Sequence, residues 1–445
     1  MKKILYIAVV LLVVVCAAAV GLYAYLPIGD VNPETGEIVK IQDYLPIAND
    51  RSGDPDSSDA GGDQTQDEEG GSPADTTSSD EETLPALRDL SGEPVAGAIA
   101  FEQTEQVGTS THVFTEIRYT TVAQGHVHSA RSDRSGTDRV TNETNRKTVN
   151  SVWTSPVTTI LQTVDTNRDS ITSLLVTIHD EQATSSSLRE VSGNFLSNTI
   201  KNIVSAPTGG QIVLIRSQES GGVSVEVGQP GEQMTVLYTT PLSDWQIAWP
   251  ASAQVLLTTN PGAGDDGFLY SINTQNGART RLLGGIAGLT VRMNSGGSRL
   301  LYNESTRSGF QLYSYTIETG ESSELVTHQT LPEKCTWSSE SSIIAYCGVP
   351  REVPSAQYPD DWYKGRVSFD DHLARFNVET GKVEILEDLS AKIEGGGDVI
   401  EPFLGPNEEY LFFTNKKDGH LWSYRLSDSE EAASTNSGSE EGADF

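Results

Sequence analysis

A recurring unit of 44 residues constrains this sequence more than any other feature. Each unit begins at an often aromatic residue, passes through a short polar turn and reaches an apolar run such as Leu256-Leu257. Four unit starts follow one another at intervals of 44 residues: Ser205, Trp249, Met293 and Trp337. Trp153 and Phe403 extend the series at intervals of 52 and 66 residues. A fixed interval with the apolar run at nearly the same offset indicates an array of like modules.

Each unit reads as four short strands, and the third strand carries the clearest internal repeat. The segment LYSYTIETG at 312–320 returns as LYSINTQNG at 269–277, as LARFNVETG at 373–381 and, truncated, as LWSYRL at 421–426. Each copy alternates polar and apolar residues, whereas helical periodicity is missing from the repeat region. Four strands in about 40–45 residues is the period of a propeller blade.

The pattern therefore predicts an all-β fold, a β-propeller of four-stranded blades over residues 95–427. The apolar runs number seven, which predicts seven blades, with six or eight as the alternatives. A sandwich or barrel would not need a fixed register. The last unit supplies only three strands, so the ring should close by borrowing one from the other end of the chain. Residues 95–101 and 37–41 are both suitable, and the sequence does not choose between them.

The N-terminal segment 4–26 contains 23 residues without a charge and predicts one transmembrane helix. Lys2 and Lys3 precede it, so residues 1–3 should stay in the cytoplasm and the propeller should lie outside, in the extracellular or periplasmic space. We expect a single-pass protein of the plasma membrane. A cleaved signal peptide is the alternative, but the apolar run is longer than such peptides usually carry.

The net charge of −32 is concentrated in two segments that have little to bury. Residues 49–82 sum to −11 and residues 427–445 sum to −6. We therefore predict a largely disordered acidic linker over 27–94 and a disordered acidic tail over 428–445. The acidic balance also argues against nucleic acid as a partner, since nothing would neutralise the phosphates.

The turn-strand-arm unit resembles the TolB-type, WD-repeat-like propeller repeat over about residues 95–426. The Trp-Ser-Pro-Asp-Gly turn usual in that repeat is retained only in part here, as WTSP at Trp153, WPAS at Trp249 and WSSE at Trp337. Longer segments are similar to a family of bacterial single-pass membrane-anchored propeller proteins: residues 125–142, 334–339, 345–350 and 358–371. That resemblance implies the fold and the location. The family has no established activity, so it supplies no catalytic residues.

An insertion between the second and third strands of one blade is the best candidate for a binding site. The interval from Trp337 to Phe403 exceeds 44 by 22 residues, which fall mainly at 348–370. In a propeller this connection emerges on the face where ligands usually meet the central channel. Exposed aromatic residues among prolines suit recognition, which predicts these contact residues: Tyr358, Asp360, Asp361, Trp362, Tyr363 and Phe369. The alternative is that the aromatic side chains pack the loop onto its blade.

Two of the three cysteines, Cys335 and Cys347, fall within the repeat region. They lie on successive strands whose turn centres near Glu340, so residue 335 should face 346 or 347. A cross-strand disulfide is geometrically possible there, and a pair of free buried thiols is the alternative.

No sequence motif for catalysis, metal binding or a cofactor emerges from this chain. A Gly-x-Ser-x-Gly elbow is missing, and Gly395-Gly396-Gly397 lacks the Lys and helix of a phosphate loop. We therefore predict a binding or scaffolding module of the cell envelope with a protein or other envelope component as partner. The alternative is a propeller hydrolase or lyase with its site in the central channel. Convergent carboxylates and His at the channel mouth would favour an enzyme, and an apolar rim would favour a partner.

Overall fold

A computed structural model describes residues 84–165, 170–180, 188–325 and 329–426. These residues form seven antiparallel sheets of four strands each. The predicted all-β propeller of seven four-stranded blades is confirmed. The predicted segments 1–3, 4–26 and 428–445, with most of the linker 27–94, lie outside the described residues. Within the described ranges, none of the helices has the length and apolar character needed to span a membrane.

The strands follow the chain around the ring, each blade running from its first strand to its fourth. Blades 1 and 2 contain β2 (Val95–Val107), β3 (Ser110–Thr121), β4 (Val127–Arg131), β5 (Thr137–Arg139), β6 (Thr148–Ser155), β7 (Thr158–Asp165), β8 (Ser170–His179) and β9 (Glu190–Phe195). Blades 3 and 4 contain β10 (Ile200–Ser205), β11 (Ile212–Ser217), β12 (Val223–Gly228), β13 (Thr235–Thr240), β14 (Trp245–Ala251), β15 (Gln254–Thr259), β16 (Asp266–Asn273) and β17 (Arg279–Ala287).

Blades 5 and 6 contain β18 (Val291–Met293), β19 (Arg299–Ser305), β20 (Phe310–Thr316), β21 (Glu321–Glu324), β22 (Cys335–Trp337), β23 (Ile344–Pro350), β24 (Asp371–Asn377) and β25 (Lys382–Asp388). Blade 7 contains β26 (Val399–Leu404), β27 (Tyr410–Asn415), β28 (Leu421–Arg425) and β1 (Leu87–Asp89). The short helices are α1 (Asp360–Tyr363) and α2 (Leu389–Lys392), with 3-10 turns at Pro332–Lys334 and Pro406–Glu408.

The residues that recur at intervals of 44 lie in the first strands of the blades. These strands are innermost and contact the first strands of neighbouring blades. Trp153 Nε1 donates to Gly97 O at 3.4 Å, and Trp337 Nε1 donates to Arg292 O at 3.0 Å. Each indole thus spans the seam to the preceding blade while its ring is buried. Gly97 permits the close approach, since a Cβ there would lie 2.2 Å from the carbonyl oxygen of Ser151.

The ring closes through β1, which pairs with β28 as the fourth strand of blade 7. The predicted closing strand 95–101 does not take this place. Val95–Val107 is the first strand of blade 1, and 37–41 lies outside the described residues. The chain needs only residues 90–94 to pass from the outer edge of blade 7 to the inner edge of blade 1. The closing strand therefore directly precedes the first strand rather than coinciding with it.

The antiparallel order gives the ring two faces with different connections. The upper face carries the connections from second to third strands and from one blade to the next. The lower face carries the turns between first and second and between third and fourth strands. Both ends of the described chain reach the lower face, where Arg425 Nη2 donates to Leu84 O at 3.1 Å and Leu426 N donates to Glu409 O at 2.8 Å.

Candidate functional site

Cys335 and Cys347 lie at paired positions of β22 and β23 and are joined by a disulfide. Their Cα atoms are 4.1 Å apart, and both residues are buried. The bond fixes the first strand of blade 6 at its start, directly after the turn Pro332–Lys334. The residues of that turn form the centre of the candidate site.

The insertion at 351–370 crosses the upper face rather than projecting from it. Tyr358, Trp362 and Phe369 are 0%, 3% and 1% exposed. The Tyr358 ring packs 4.9 Å from Phe310 of blade 5 and 5.7 Å from Phe369, measured between centroids. The prediction that these aromatic side chains are exposed is wrong. They pack the loop onto the propeller, as the alternative stated, because apolar residues of two blades lie beneath it.

The two predicted aspartates also hold the insertion in place. Asp360 accepts a hydrogen bond of 2.7 Å from Ala263 N, in the connection between β15 and β16 of blade 4. Asp361 accepts a bond of 2.8 Å from Gln357 N and pairs with Arg366 at 3.2 Å. The insertion of blade 6 therefore reaches across blade 5 to blade 4.

A buried ion cluster lies under the insertion. Lys334 Nζ is 2.8 Å from Asp371 Oδ2, contacts Asp398 and donates to Val399 O at 3.0 Å. All three charged side chains are fully buried. Burial alone would lower the pKa of Lys334, but Asp371 and Asp398 raise it above the usual value. Burial raises the pKa of Asp371 to about 6, although Lys334 opposes that change.

Asp398 joins this cluster to the insertion. Its carboxylate accepts hydrogen bonds of 3.0 Å from Trp362 Nε1, Ser368 Oγ and Phe369 N. The predicted aromatic residues and the buried charges thus form one rigid unit on the upper face. A buried charge needs such partners, because an unpaired one would be strongly destabilising.

Tyr363, the remaining predicted residue, lies at the channel mouth, which we define by Arg292, Glu333, Tyr363 and Glu401. Tyr363 Oη donates to Glu333, and the Tyr363 side chain also hydrogen bonds with Gln246 of blade 4. Arg292 Nη2, in the first strand of blade 5, donates to Pro402 O of blade 7 at 3.3 Å. Residues of four blades therefore converge at the upper end of the channel.

The Glu401 side chain owes its position to a break in the strand. The pairing of β26 with β27 shifts register between Ile400 and Phe403. Glu401 has a φ of +49°, which is unusual for a residue with a side chain. A bulge of this kind redirects a side chain, and the carboxylate of Glu401 interacts with the charge of Arg292.

The charges at the channel mouth are incompletely paired. Among the described residues, no carboxylate lies within 4.0 Å of the Arg292 guanidinium. Glu333 Oε2 is buried and accepts no hydrogen bond there. Burial raises the pKa of Glu333 to about 7, although the bond from Tyr363 and the charges of Arg292 and Lys334 lower it. Glu401 keeps solvent-exposed surface, but partial desolvation by the surrounding protein raises its pKa, against Arg292, and desolvation lowers the pKa of Arg292.

A cavity of about 270 Å³ lies between blades 4, 5 and 6 and shares only Arg292 with the residues that define the channel mouth. Ala248, Arg292 and Thr336 line it from equivalent positions of the 44-residue register, and Ser295 adds a hydroxyl group. The cavity thus combines apolar walls with a guanidinium and two hydroxyls, which is the composition of many small-ligand sites. In the part of the chain that the structure describes, no three His, Cys, Asp or Glu side chains are grouped to hold a metal ion.

Sequence reasoning did not find Arg292, Glu333, Lys334, Asp398 or Glu401. One signal was available: Arg292 occupies the register position where the neighbouring units have Ala248 and Thr336. Charge at an innermost, otherwise small position marks a side chain directed at the channel. Nothing in the sequence alone places Glu333 beside Tyr363, because the two belong to different connections.

Similarity to known proteins is found among solved structures. No protein-family model matches the sequence, and no curated protein matches it. An oligogalacturonate lyase in complex with manganese is 11% identical over 75% of this chain and 98% of its own, with a TM-score of 0.44. TolB from Acinetobacter baumannii is 13% identical over 77% and 85%, with a TM-score of 0.38.

The tricorn protease is 10% identical over 79% of this chain, with a TM-score of 0.46, and the chain spans 35% of its length. These similarities concern the fold of the propeller alone. No activity and no site residue is transferred from them to this chain.

Proposed function

We propose that this protein is a membrane-anchored extracytoplasmic propeller that binds a protein or another component of the cell envelope at its channel mouth. One observation carries this proposal: Arg292 lines the cavity and interacts with the charges of Glu333 and Glu401, yet neither carboxylate forms a salt bridge with it. Donors and acceptors left unpaired in a concave site favour a ligand that completes their hydrogen bonds. The buried insertion holds Tyr363 rigidly, which lowers the entropic cost of binding.

The position of the chain ends supports the same arrangement. The described chain begins and ends on the lower face, whereas the channel mouth opens on the upper face. An N-terminal anchor joined through the acidic linker would leave the channel mouth accessible to a partner in the envelope.

A photo-crosslinking residue at Tyr363 of the full-length chain tests this proposal in intact cells. We expect a discrete crosslinked partner that is lost when Arg292→Ala is added. A crosslinking residue at Phe195, which is 76% exposed on β9 of blade 2, is the matched control and should not recover the same partner. Equal recovery from both positions, or no dependence on Arg292, would contradict binding at the channel mouth.

A hydrolase or lyase is the second candidate, because Glu333 and Glu401 converge with Tyr363 and Arg292. A carboxyl group with a pKa of about 7, as at Glu333, can donate and accept protons at neutral pH. If the protein is an enzyme, Glu333→Gln should reduce turnover of envelope peptides or polysaccharides at least 100-fold. The same variant should retain the circular dichroism spectrum of the wild type. Absence of turnover by the wild type would leave binding as the function.

A further inference from the structure

The first two strands of blade 1 form a hairpin that projects from the lower face. Val107 pairs with Ser110 across a two-residue turn in which Gly108 has a φ of +64°. Toward blade 7, Asn407 Nδ2 donates a hydrogen bond of 3.2 Å to Glu102. Five further residues of β2 extend the hairpin by about 17 Å at about 3.4 Å per residue.

A polar network at the base holds the hairpin upright. The Arg131 guanidinium lies 3.5 Å from the centroid of the Phe114 ring and pairs with Glu105 at 2.9 Å and with Asp133 at 2.7 Å. His112 Nε2 lies 2.8 Å from the same Asp133 carboxylate. Side chains of both hairpin strands contact Arg131 of β4, so the hairpin presents an ordered surface.

One edge of the projecting hairpin has backbone groups that no described strand uses. Thr121 N donates to His126 O, and Ser132 N donates to Thr115 O, so these odd-numbered residues of β3 direct their backbone groups toward β4. Alternation along the strand gives Val113 the same direction. However, β4 ends at Arg131, opposite Glu116. The backbone of Val113, whose side chain is 52% exposed, therefore faces solvent at an open edge.

We propose that this edge binds an extended segment of a basic partner protein, which adds to β3 as an antiparallel strand in line with β4. Open edges of this kind are templates for strand addition. A β-branched residue opposite Val113 would form a favourable cross-strand pair. The interaction is separate from the channel mouth on the opposite face.

The net charge of the chain distinguishes among the molecules that could bind this edge. Within the projecting part, Glu105 is already paired with Arg131, so the strip itself is close to neutral. The whole chain carries −32, so a second copy of it would be repelled, as would nucleic acid. A polypeptide of opposite net charge is attracted over the same range, which favours a basic partner.

The test uses full-length protein and a fluorescent nine-residue peptide that alternates Lys with Val and Thr, measured by anisotropy. Val113→Pro removes an N–H that points away from β2, so the hairpin ladder keeps all its bonds. Thr104→Pro is the matched control, because Thr104 opposes Val113 and its N–H points to the other edge. We expect binding at least tenfold weaker for Val113→Pro and within twofold of wild type for Thr104→Pro.

A second variant distinguishes loss of binding at the edge from unfolding of the hairpin by proline. Val113→Lys keeps the backbone donor but places a positive charge beside the basic peptide, and it should also weaken binding at least threefold. Replacing every Lys of the peptide by Glu should abolish binding. Equal effects of the two proline variants, or equal binding of the acidic peptide, would overturn the proposal. So would a dimer in sedimentation that Val113→Pro dissociates, since it would identify a second copy as the occupant.

Discussion

Glu333→Gln tests whether the channel mouth is as shielded from water as its geometry indicates. The substitution removes a titrating carboxyl group but keeps an oxygen that can accept the hydrogen bond from Tyr363. Burial raises the pKa of Glu333 to about 7 from the ordinary value of 4.5. The folded protein therefore holds this proton more tightly than the unfolded chain does. As the pH rises from about 4.5 to about 7, the group should lower the free energy of unfolding.

The magnitude follows from the size of the pKa difference. A separation of about 2.5 units at about 1.36 kcal/mol per unit amounts to about 3 kcal/mol of unfolding free energy. The wild type should lose about this much between pH 4.5 and pH 7.5 through Glu333, and the Gln variant should not. The variant should therefore gain up to about 3 kcal/mol relative to the wild type over that interval. Other titrating groups, including Asp371, occur in both proteins and cancel in the comparison.

Urea denaturation of both proteins at pH 5 and pH 8 measures this difference. Glu321→Gln, in the exposed outer strand β21, is the matched control for loss of one negative charge at the surface. If the stability of Glu333→Gln relative to wild type is the same at both pH values, Glu333 is solvated in the folded state. The assignment of a shielded, incompletely paired channel mouth would then be wrong.

Three further perturbations address the buried cluster, the disulfide and the location of the propeller. Lys334→Met leaves two buried carboxylates without their cation and should cost about 3–5 kcal/mol in urea denaturation, whereas Lys417→Ala on the surface should cost less than about 1 kcal/mol. Equal costs would contradict the burial of the cluster. Replacing Cys335 and Cys347 by Ala opens a bridge with a sequence separation of 12 and should cost about 2–3 kcal/mol; reducing agent should leave that variant unchanged. Phe195→Cys should react with a membrane-impermeant maleimide in intact spheroplasts, and reaction only after lysis would place the propeller in the cytoplasm.

The sequence was sufficient to predict the four-stranded blade and the number of blades, because the repeat reflects how neighbouring blades pack against each other. Trp153 and Trp337 each cover the seam to the preceding blade, so a large side chain recurs at one position of the unit. The same repeat pattern could not predict the strand that closes the ring. Leu87–Asp89 has three residues and no alternation to detect, and it becomes a strand only because β28 offers an open edge.

The sequence indicated the insertion as a candidate site but not how its side chains are arranged. The length of the insertion drew attention to Tyr358, Trp362 and Tyr363, which lie next to the candidate site. Its aromatic content could not reveal which side chains face water, because their partners Phe310 and Leu331 belong to other parts of the chain. Register comparison could have identified Arg292. The pairing of Lys334 with Asp398 spans 64 residues and depends on the closed ring.

Three consecutive residues show how the structure fixes the channel mouth. Glu333 accepts the hydrogen bond from Tyr363, Lys334 belongs to the buried ion cluster, and Cys335 is covalently attached to the neighbouring strand. Lys334 and Cys335 therefore restrain the backbone on the C-terminal side of Glu333. The unpartnered oxygen thus belongs to a residue of a restrained turn. Keeping this carboxylate oxygen buried without a partner lowers the stability of the fold. Such an arrangement is expected where a bound ligand supplies the missing hydrogen bond.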